Sequence, residues 1–434
     1  MALAANGPPN VNRIPAIPPT PAPPTWPTQT TKPTQTWDSF RQQMPICQRW
    51  AYFDHAAVGP IPQKAANALS LFAQQASLEG DFHWPSWSAS ANETRKFAAE
   101  LLHASKEEIA LVSNTTLGIH TIALAYPFKP SDSVVILKNE FPSNQIPWLN
   151  LRTAGVDVRI VEPNPDGSIC IDRVLDAIDS TTRLVAISWV GYATGFRIDL
   201  ASLVEQIHLR GAEVFLDAIQ GLGVFPLNVS DIPVDYLAAD GHKWLLGPEG
   251  AGILFIQKNH LNKLGPALCG WNSLQASHEF RMEGKGLKDS AARYEGGSLN
   301  HVGFAALKES LSLLLEHGCH DPASGFAERI LHLTNYARER LRTAGASFPW
   351  FTPQAPEKLT SNASGILSFD FPDQNPQLLR KALIDAGIIL SVRHGSLRIA
   401  IHAYNIEQEI DHLVDSIASI IRPTSIHFSP NPQP

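Results

Sequence analysis

Cysteine is scarce in this chain: Cys47, Cys170, Cys269 and Cys319 are the only four among 434 residues. They form no CxxC pair and no short spacing, so neither a disulfide framework nor a metal site is expected. Four reduced thiols in a cytoplasmic protein are the expectation. Long apolar runs are missing too, since no stretch approaches the roughly 18 to 20 residues needed to cross a bilayer. The opening MALAANGPPN has no basic start and no sustained apolar core, which predicts neither signal peptide nor membrane anchor. Dense basic clusters are absent and the formal net charge is −7, so nucleic acid is not an expected partner. Nor does a GxGxxG turn follow a first strand, which leaves little support for a dinucleotide-binding dehydrogenase.

What is present is a hydrophobic fraction of 44%, enough at this length for one large core and a smaller one. Pro and Thr dominate from Pro8 to Thr36. That composition predicts a disordered tail or a semi-rigid spacer over 1–36, with a proline-recognising partner as the alternative. SPNPQP makes 424–434 a second flexible end. Between them, EIALV, SVVIL, DVRIV, RLVAIS, AEVFLD, DYLAAD and AGILFI are strand candidates that alternate with helical patterns. One such helix is LASLVEQIHLRG, in which Leu200, Leu203, Val204 and Ile207 share a face before Gly211. The alternation predicts an α/β fold, a mainly parallel seven-stranded sheet covered on both faces, as the large domain over 37–300. Helical patterns at 302–317 and 325–342, strand candidates GILSFDF, IILSV and LRIAI, and a helix at 406–420 predict a small α+β domain over 301–423, to which the first segment also contributes.

The densest chemical signal is VDYLAADGHKWLLGPEGAGILFI, which puts Lys243 on a loop at a strand end, where α/β sheets gather ligands. An isolated GHK is more often a solvated turn. AEVFLDAIQGLG adds Asp217 at another strand end, with Gln220 three positions on; a helix cap explains such an Asp equally well. SNTTLGIHTIALAY places Asn114, Thr115 and Thr116 at the start of an apolar helix, a ready anion site that simple capping also accounts for.

Together these segments resemble the class V aminotransferase family, fold-type I pyridoxal-phosphate enzymes that include cysteine desulfurases, selenocysteine lyases, kynureninases and isopenicillin N epimerase-like proteins. The resemblance runs from YFDHAAVGPIP to the C-terminal helix with every motif in order. It implies that Lys243 carries pyridoxal 5′-phosphate as an imine, that Asp217 pairs with the pyridinium, and that Gln220 contacts the ring hydroxyl side. A carboxylate about 4 Å from that cation, at an effective dielectric near 20, is worth roughly 4 kcal/mol. Thr115, Thr116 and His242 would hold the phosphate. Phe141, or Pro142 on a one-residue shift, would stack on the ring. YEGGSLNHVGF matches the segment that reaches across a homodimer, so Ser298 would serve the phosphate of the neighbouring subunit. RHGSLRIAIHAYN matches the segment whose arginine forks onto a substrate carboxylate, the role assigned to Arg398.

Two departures from the family bear on the reaction. Desulfurases need a mobile nucleophilic cysteine upstream of the substrate arginine, but IILSVRHGSLR has none and little room for its loop. Tyr192 stands where desulfurases carry Asn, and Asp240 where they often carry Ser. These features, with RxGxLR and HxYN, point to the kynureninase- and epimerase-like branch. The resulting expectation is an aminotransferase or C–S lyase acting on a small L-amino acid; epimerisation and a non-catalytic scaffold are the alternatives. His83, Trp84 and Trp87 in DFHWPSW, and His402 and Tyr404 beside Arg398, are either pocket walls or packing.

Overall fold

The computed structural model describes residues 35–281, 283–350, 358–359 and 361–421. The expected Pro/Thr-rich tail up to residue 34 and the SPNPQP end lie outside them.

The strands are β1 (Ala51–Tyr52), β2 (Ile109–Val112), β3 (Ser133–Leu137), β4 (Asp157–Val161), β5 (Thr182–Ser188) and β6 (Glu213–Asp217). They continue with β7 (Tyr236–Asp240), β8 (Gly252–Ile256), β9 (Ile366–Phe369), β10 (Ile388–Ile389), β11 (Ser391–Arg393) and β12 (Ser396–Ala400). The helices are α1 (Gln35–Gln42), α2 (Gln63–Leu78), α3 (Trp84–Leu102), α4 (Thr115–Ala125), α5 (Ile146–Asn150) and α6 (Ile171–Asp176). After them come α7 (Leu200–Leu209), α8 (His301–Glu316), α9 (Phe326–Thr343), α10 (Pro376–Asp385) and α11 (Glu407–Ile421). The first helix therefore starts inside the stretch assigned to the tail.

Seven strands form one sheet in the order β2-β8-β7-β6-β5-β3-β4; β3 to β7 run parallel, and β8 is antiparallel to both its neighbours. Except for the edge strand β4, whose DVRIV is partly exposed, their sequences are nearly unbroken apolar runs because both faces are covered. Alternation sends successive side chains to opposite sides. Val135, Val185, Leu216 and Leu237 enter one core, while Val134, Leu184, Phe215 and Tyr236 enter the other. α7 buries the predicted face of Leu200, Leu203, Val204 and Ile207, and Asp199 caps its start by accepting from Ser202 N. Gly211 follows at φ +79, where a side chain would be strained.

The second unit is the antiparallel sheet β11-β12-β9 under α9, α10 and α11. β1 joins it by pairing in parallel with β10, and Ala51 and Phe53 enter its core with Phe369, Leu397, Ile399 and Leu413. α8 packs along α2 and α3, so the helix that follows residue 300 lies with the large sheet. Among the described residues no helix is long and apolar enough to cross a membrane.

Candidate functional site

Because β3, β5, β6 and β7 are parallel, their C-terminal ends lie on one side of the sheet, where the strand order reverses between β3 and β5. Ligands of such sheets collect at that point. Asp217 ends β6 and Asp240 ends β7; Phe141 follows β3 and Tyr192 follows β5. They share a cavity of about 340 Å³ with Ala56, Val58, Asn114, Thr115, Thr116, Ser143, His242, Lys243, Glu249, Arg393 and Arg398.

The lysine loop is held from both sides. Gly59 N donates to His242 O at 2.6 Å, and a Cβ on Gly59 would lie 2.1 Å from Lys243 O, so this backbone approach admits only glycine. Lys243 is 9% exposed, and burial lowers its amine to about 8 against the opposing pull of Asp217. Asp217 is 3% exposed; burial raises it to about 6, and its carboxylate accepts from Ile219 N at 3.1 Å. A desolvated carboxylate that faces a cavity is a receptor for a cation.

The N-terminus of α4 opens on the same space. Asn114 caps it by accepting from Leu117 N, and Thr115 Oγ1 accepts from Asp240 N at 2.9 Å. Thr116 Oγ1 donates to Ser143 Oγ at 2.7 Å. The first-turn N–H groups have no partner within a helix, and with the dipole they favour an anion. His242 adds a ring whose Nδ1 lies 2.9 Å from Asp240 Oδ2. Amine, buried carboxylate and anion-binding helix end thus stand in the arrangement that an aldehyde, a protonated ring nitrogen and a phosphate require, so these residues fit pyridoxal phosphate.

Arg398 is 1% exposed. It donates through Nη1 to Tyr192 O (2.6 Å), through Nη2 to Asp54 Oδ1 (3.2 Å) and through Nε to Ser391 Oγ (3.2 Å). A guanidinium has five N–H groups, so two remain for a ligand. Burial lowers it to about 10, which leaves it cationic at neutral pH. Ser391 pairs with Arg398 and Arg393 with Ser396, so all four side chains share one face of the β11–β12 hairpin. The connecting residues His394 and Gly395 have φ of +48 and +84, the signature of a two-residue type I′ turn. A mobile cysteine loop has no place there. Among the described residues no cysteine lines the cavity: Cys47 and Cys319 are buried elsewhere, and Cys170 and Cys269 lie apart from it.

Phe141 meets Tyr192 edge to face at 5.3 Å, and Lys243 Nζ lies 5.6 Å from its ring centre; Pro142 does not line the cavity. Two expected residues stand outside it in this chain. Gln220 donates through Nε2 to Ala56 O (3.0 Å) and accepts at Oε1 from Trp244 Nε1 (2.8 Å), and Ser298 is exposed on the loop before α8. None of His83, Trp84 and Trp87 of DFHWPSW lines the cavity: Trp87 meets Phe72 of α2 at 4.4 Å and donates to Gln75, whereas Trp84 is exposed. His402 and Tyr404 are likewise buried behind the lysine loop, with His402 Nε2 3.2 Å from Trp244 O and Tyr404 OH 2.6 Å from His55 Nε2.

Sequence reading missed Arg393, Asp54 and Glu140. Strand alternation from Arg398 would have placed Arg393 on the same face, whereas the partnership of Asp54 with Arg398 spans the whole chain and leaves no local signal. Glu140 is buried, accepts from Ser188 N (2.7 Å) and from the Ser188 hydroxyl, and is raised by burial to about 7.

The chain matches known proteins over most of its length. The family model described as aminotransferase class-V matches residues 51–413. A probable cysteine desulfurase of Methanothermobacter thermautotrophicus is 29% identical over 88% of this chain and 98% of its own length. The Escherichia coli cysteine desulfurase is 28% identical over 89% and 98%. Among solved structures, the apo cysteine desulfurase of Thermococcus onnurineus superposes with a TM-score of 0.79 at 22% identity, over 90% of this chain and 99% of that one. A cystine C–S lyase in complex with its product cysteine persulfide gives 0.78 at 21%, over 87% and 99%. None of these four carries a kynureninase or epimerase name.

Proposed function

This chain belongs to the class V aminotransferase family, a group of pyridoxal-phosphate enzymes, and on that premise we propose that it is a C–S lyase that cleaves the Cβ–S bond of a small amino acid without an enzyme thiol. The observation that carries this reading is the His394–Gly395 turn. It closes the hairpin where a persulfide-forming enzyme needs a cysteine loop, while Arg398, Lys243 and Asp217 line one cavity.

Pyridoxal phosphate, when bound, supplies a cationic ring that draws off the electron pair left at the substrate α-carbon. Thr115, Thr116, His242 and the α4 N-terminus would hold its phosphate, and Asp217 its ring nitrogen. Arg398 fixes the substrate carboxylate with its two remaining N–H groups, and Arg393 adds positive charge from the same hairpin face. Lys243, with an amine lowered to about 8, has a substantial neutral fraction near physiological pH and takes the α-proton at Nζ. The Cβ–S bond then breaks, and sulfur leaves with the bonding pair and gains a proton as a free thiol. Water converts the remaining three-carbon enamine to pyruvate and ammonia, so an S-substituted cysteine plus water gives thiol, pyruvate and ammonia.

The test is to incubate the holoenzyme with L-cysteine, L-cystine and S-methyl-L-cysteine and to follow thiol, pyruvate and the cofactor spectrum together. One pyruvate is expected for each sulfide released from cysteine, each cysteine persulfide from cystine and each methanethiol from S-methylcysteine, with the spectrum restored after turnover. Pyruvate-free conversion of the cofactor to its aminated form would make the enzyme an aminotransferase instead.

A further inference from the structure

A second cavity of about 250 Å³ lies beside the first, on the far side of Tyr192. Leu137, Ile169, Ala193, Phe196, Ile198 and Trp350 give it mainly apolar walls. Its buried acid, Glu140, accepts at both oxygens from the Ser188 backbone N–H and hydroxyl and is raised by burial to about 7. Aromatic rings run from the lysine into this space. Phe141 lies beside Lys243 Nζ (5.6 Å), Tyr192 meets Phe141 (5.3 Å), and His394 faces Tyr192 (5.7 Å) and then Trp350 (6.2 Å). Tyr192 is half-buried and lines both cavities, with its hydroxyl 2.8 Å from His394 Nε2. The same residue's carbonyl accepts from Arg398, so the partition between the cavities is tied to the group assigned to the substrate carboxylate.

Resting on the lyase reading above, we propose that this second cavity receives the sulfur substituent of the substrate, an uncharged group about the size of an aromatic ring, and that the Tyr192 side chain is the partition it displaces. An apolar cavity of about 150 Å³ is enough to hold benzene, so the space suffices for one ring and excludes much larger groups. The walls favour apolar over anionic substituents, because an anion would be desolvated beside Glu140 with no lysine or arginine among the described residues of the lining. Cysteine and S-methylcysteine fill the first cavity alone. S-benzylcysteine fills both and replaces the Tyr192–His394 hydrogen bond with apolar contact. Each buried methylene favours binding roughly fourfold; a six-carbon ring, after the cost of moving Tyr192, gives a preference on the order of 50-fold.

The experiment titrates holoenzyme with S-methyl-, S-benzyl- and S-(2-carboxyethyl)-L-cysteine, reading Kd from the shift of the cofactor band and kcat/KM from thiol release. It is repeated on Ala193→Phe and Ile169→Phe, each of which puts a ring on a residue that lines the second cavity, so that one variant suffices if the other does not fold. S-benzylcysteine should be favoured over S-methylcysteine by about 50-fold in kcat/KM and should outrun the carboxyethyl compound, and either variant should bring that ratio to within about threefold of unity. Turnover of S-methylcysteine with no benzyl preference, or a preference unchanged in a folded variant, overturns the subsite and leaves the lyase reading intact. No thiol from any of the three overturns the lyase reading, and the subsite falls with it.

Discussion

Asp217 and Lys243 are each placed where burial works against their charge, and this makes them informative as single residues. In the cofactor-free protein Asp217 is raised to about 6, above the roughly 3.9 of an unfolded chain. The folded state therefore binds more protons between about pH 4 and 6. The stabilisation is complete below the lower value and lost as pH rises through the upper one, leaving a cost on the order of 3 kcal/mol at neutral pH. Asp217→Asn removes that cost. We expect the cofactor-free variant to melt no lower than wild type above pH 7 while its affinity for pyridoxal phosphate drops by about a hundredfold or more; calorimetry and cofactor titration check the two halves. Lys243 has the opposite sign: its amine is lowered to about 8, and only the neutral form is a nucleophile. Capture of pyridoxal phosphate by the cofactor-free protein should accelerate with pH up to about 8 and level off above it, as stopped-flow absorbance will show. Both residues were legible from strand-end motifs. The Gln220 amide was not, because its two bonds to Ala56 and Trp244 depend on a fold-wide approach of the chain start to β6.

At the scale of elements, the seven strands of the large sheet coincide with the seven strand candidates, and in all but the edge strand β4 burial on both faces leaves mostly Val, Ile, Leu, Ala and Phe. The helical patterns around 302–317, 325–342 and 406–420 likewise became α8, α9 and α11 within a residue or so at each end. The two-residue strand β1 was illegible, being defined only by its pairing across the chain with β10, and the single candidate IILSV spans two short strands, β10 and most of β11. On the lyase reading, the β11–β12 hairpin is the element on which reaction type turns. Gly395 has φ +84, and an alanine there is strained by about 1 kcal/mol. Gly395→Ala should tilt Arg393 and Arg398 together, raising KM for the amino acid several-fold with a smaller change in kcat, because carboxylate binding is common to ground and transition states. Steady-state kinetics on S-methylcysteine decides this. A fall in kcat alone would place Arg398 outside carboxylate binding.

At the scale of the whole molecule, the site draws on both units: Asp217, Lys243 and the α4 N-terminus from the large sheet, Arg393 and Arg398 from the small one, with Asp54 bridging to the latter. Ser298 is the outlier, exposed on a loop whose base is anchored by Glu295 to Arg95 and to Leu111 N. If a second copy brings that loop to the phosphate end, Ser298→Ala should weaken cofactor binding roughly tenfold through the loss of one hydrogen bond to a charged group. Cofactor retention should then also fall on dilution into the monomer range, measured by fluorescence against light scattering. Retention independent of concentration would confine the site to one chain.

The central claim, that Lys243 carries pyridoxal phosphate, is tested most directly by the absorbance spectrum of the purified protein before and after borohydride, with peptide mass mapping and Lys243→Ala alongside. A visible band that reduction abolishes, a mass increment on the peptide containing Lys243, and no such band in the variant are the expected results. A protein that stays colourless with added pyridoxal phosphate, or a reduced adduct on another lysine, would contradict it.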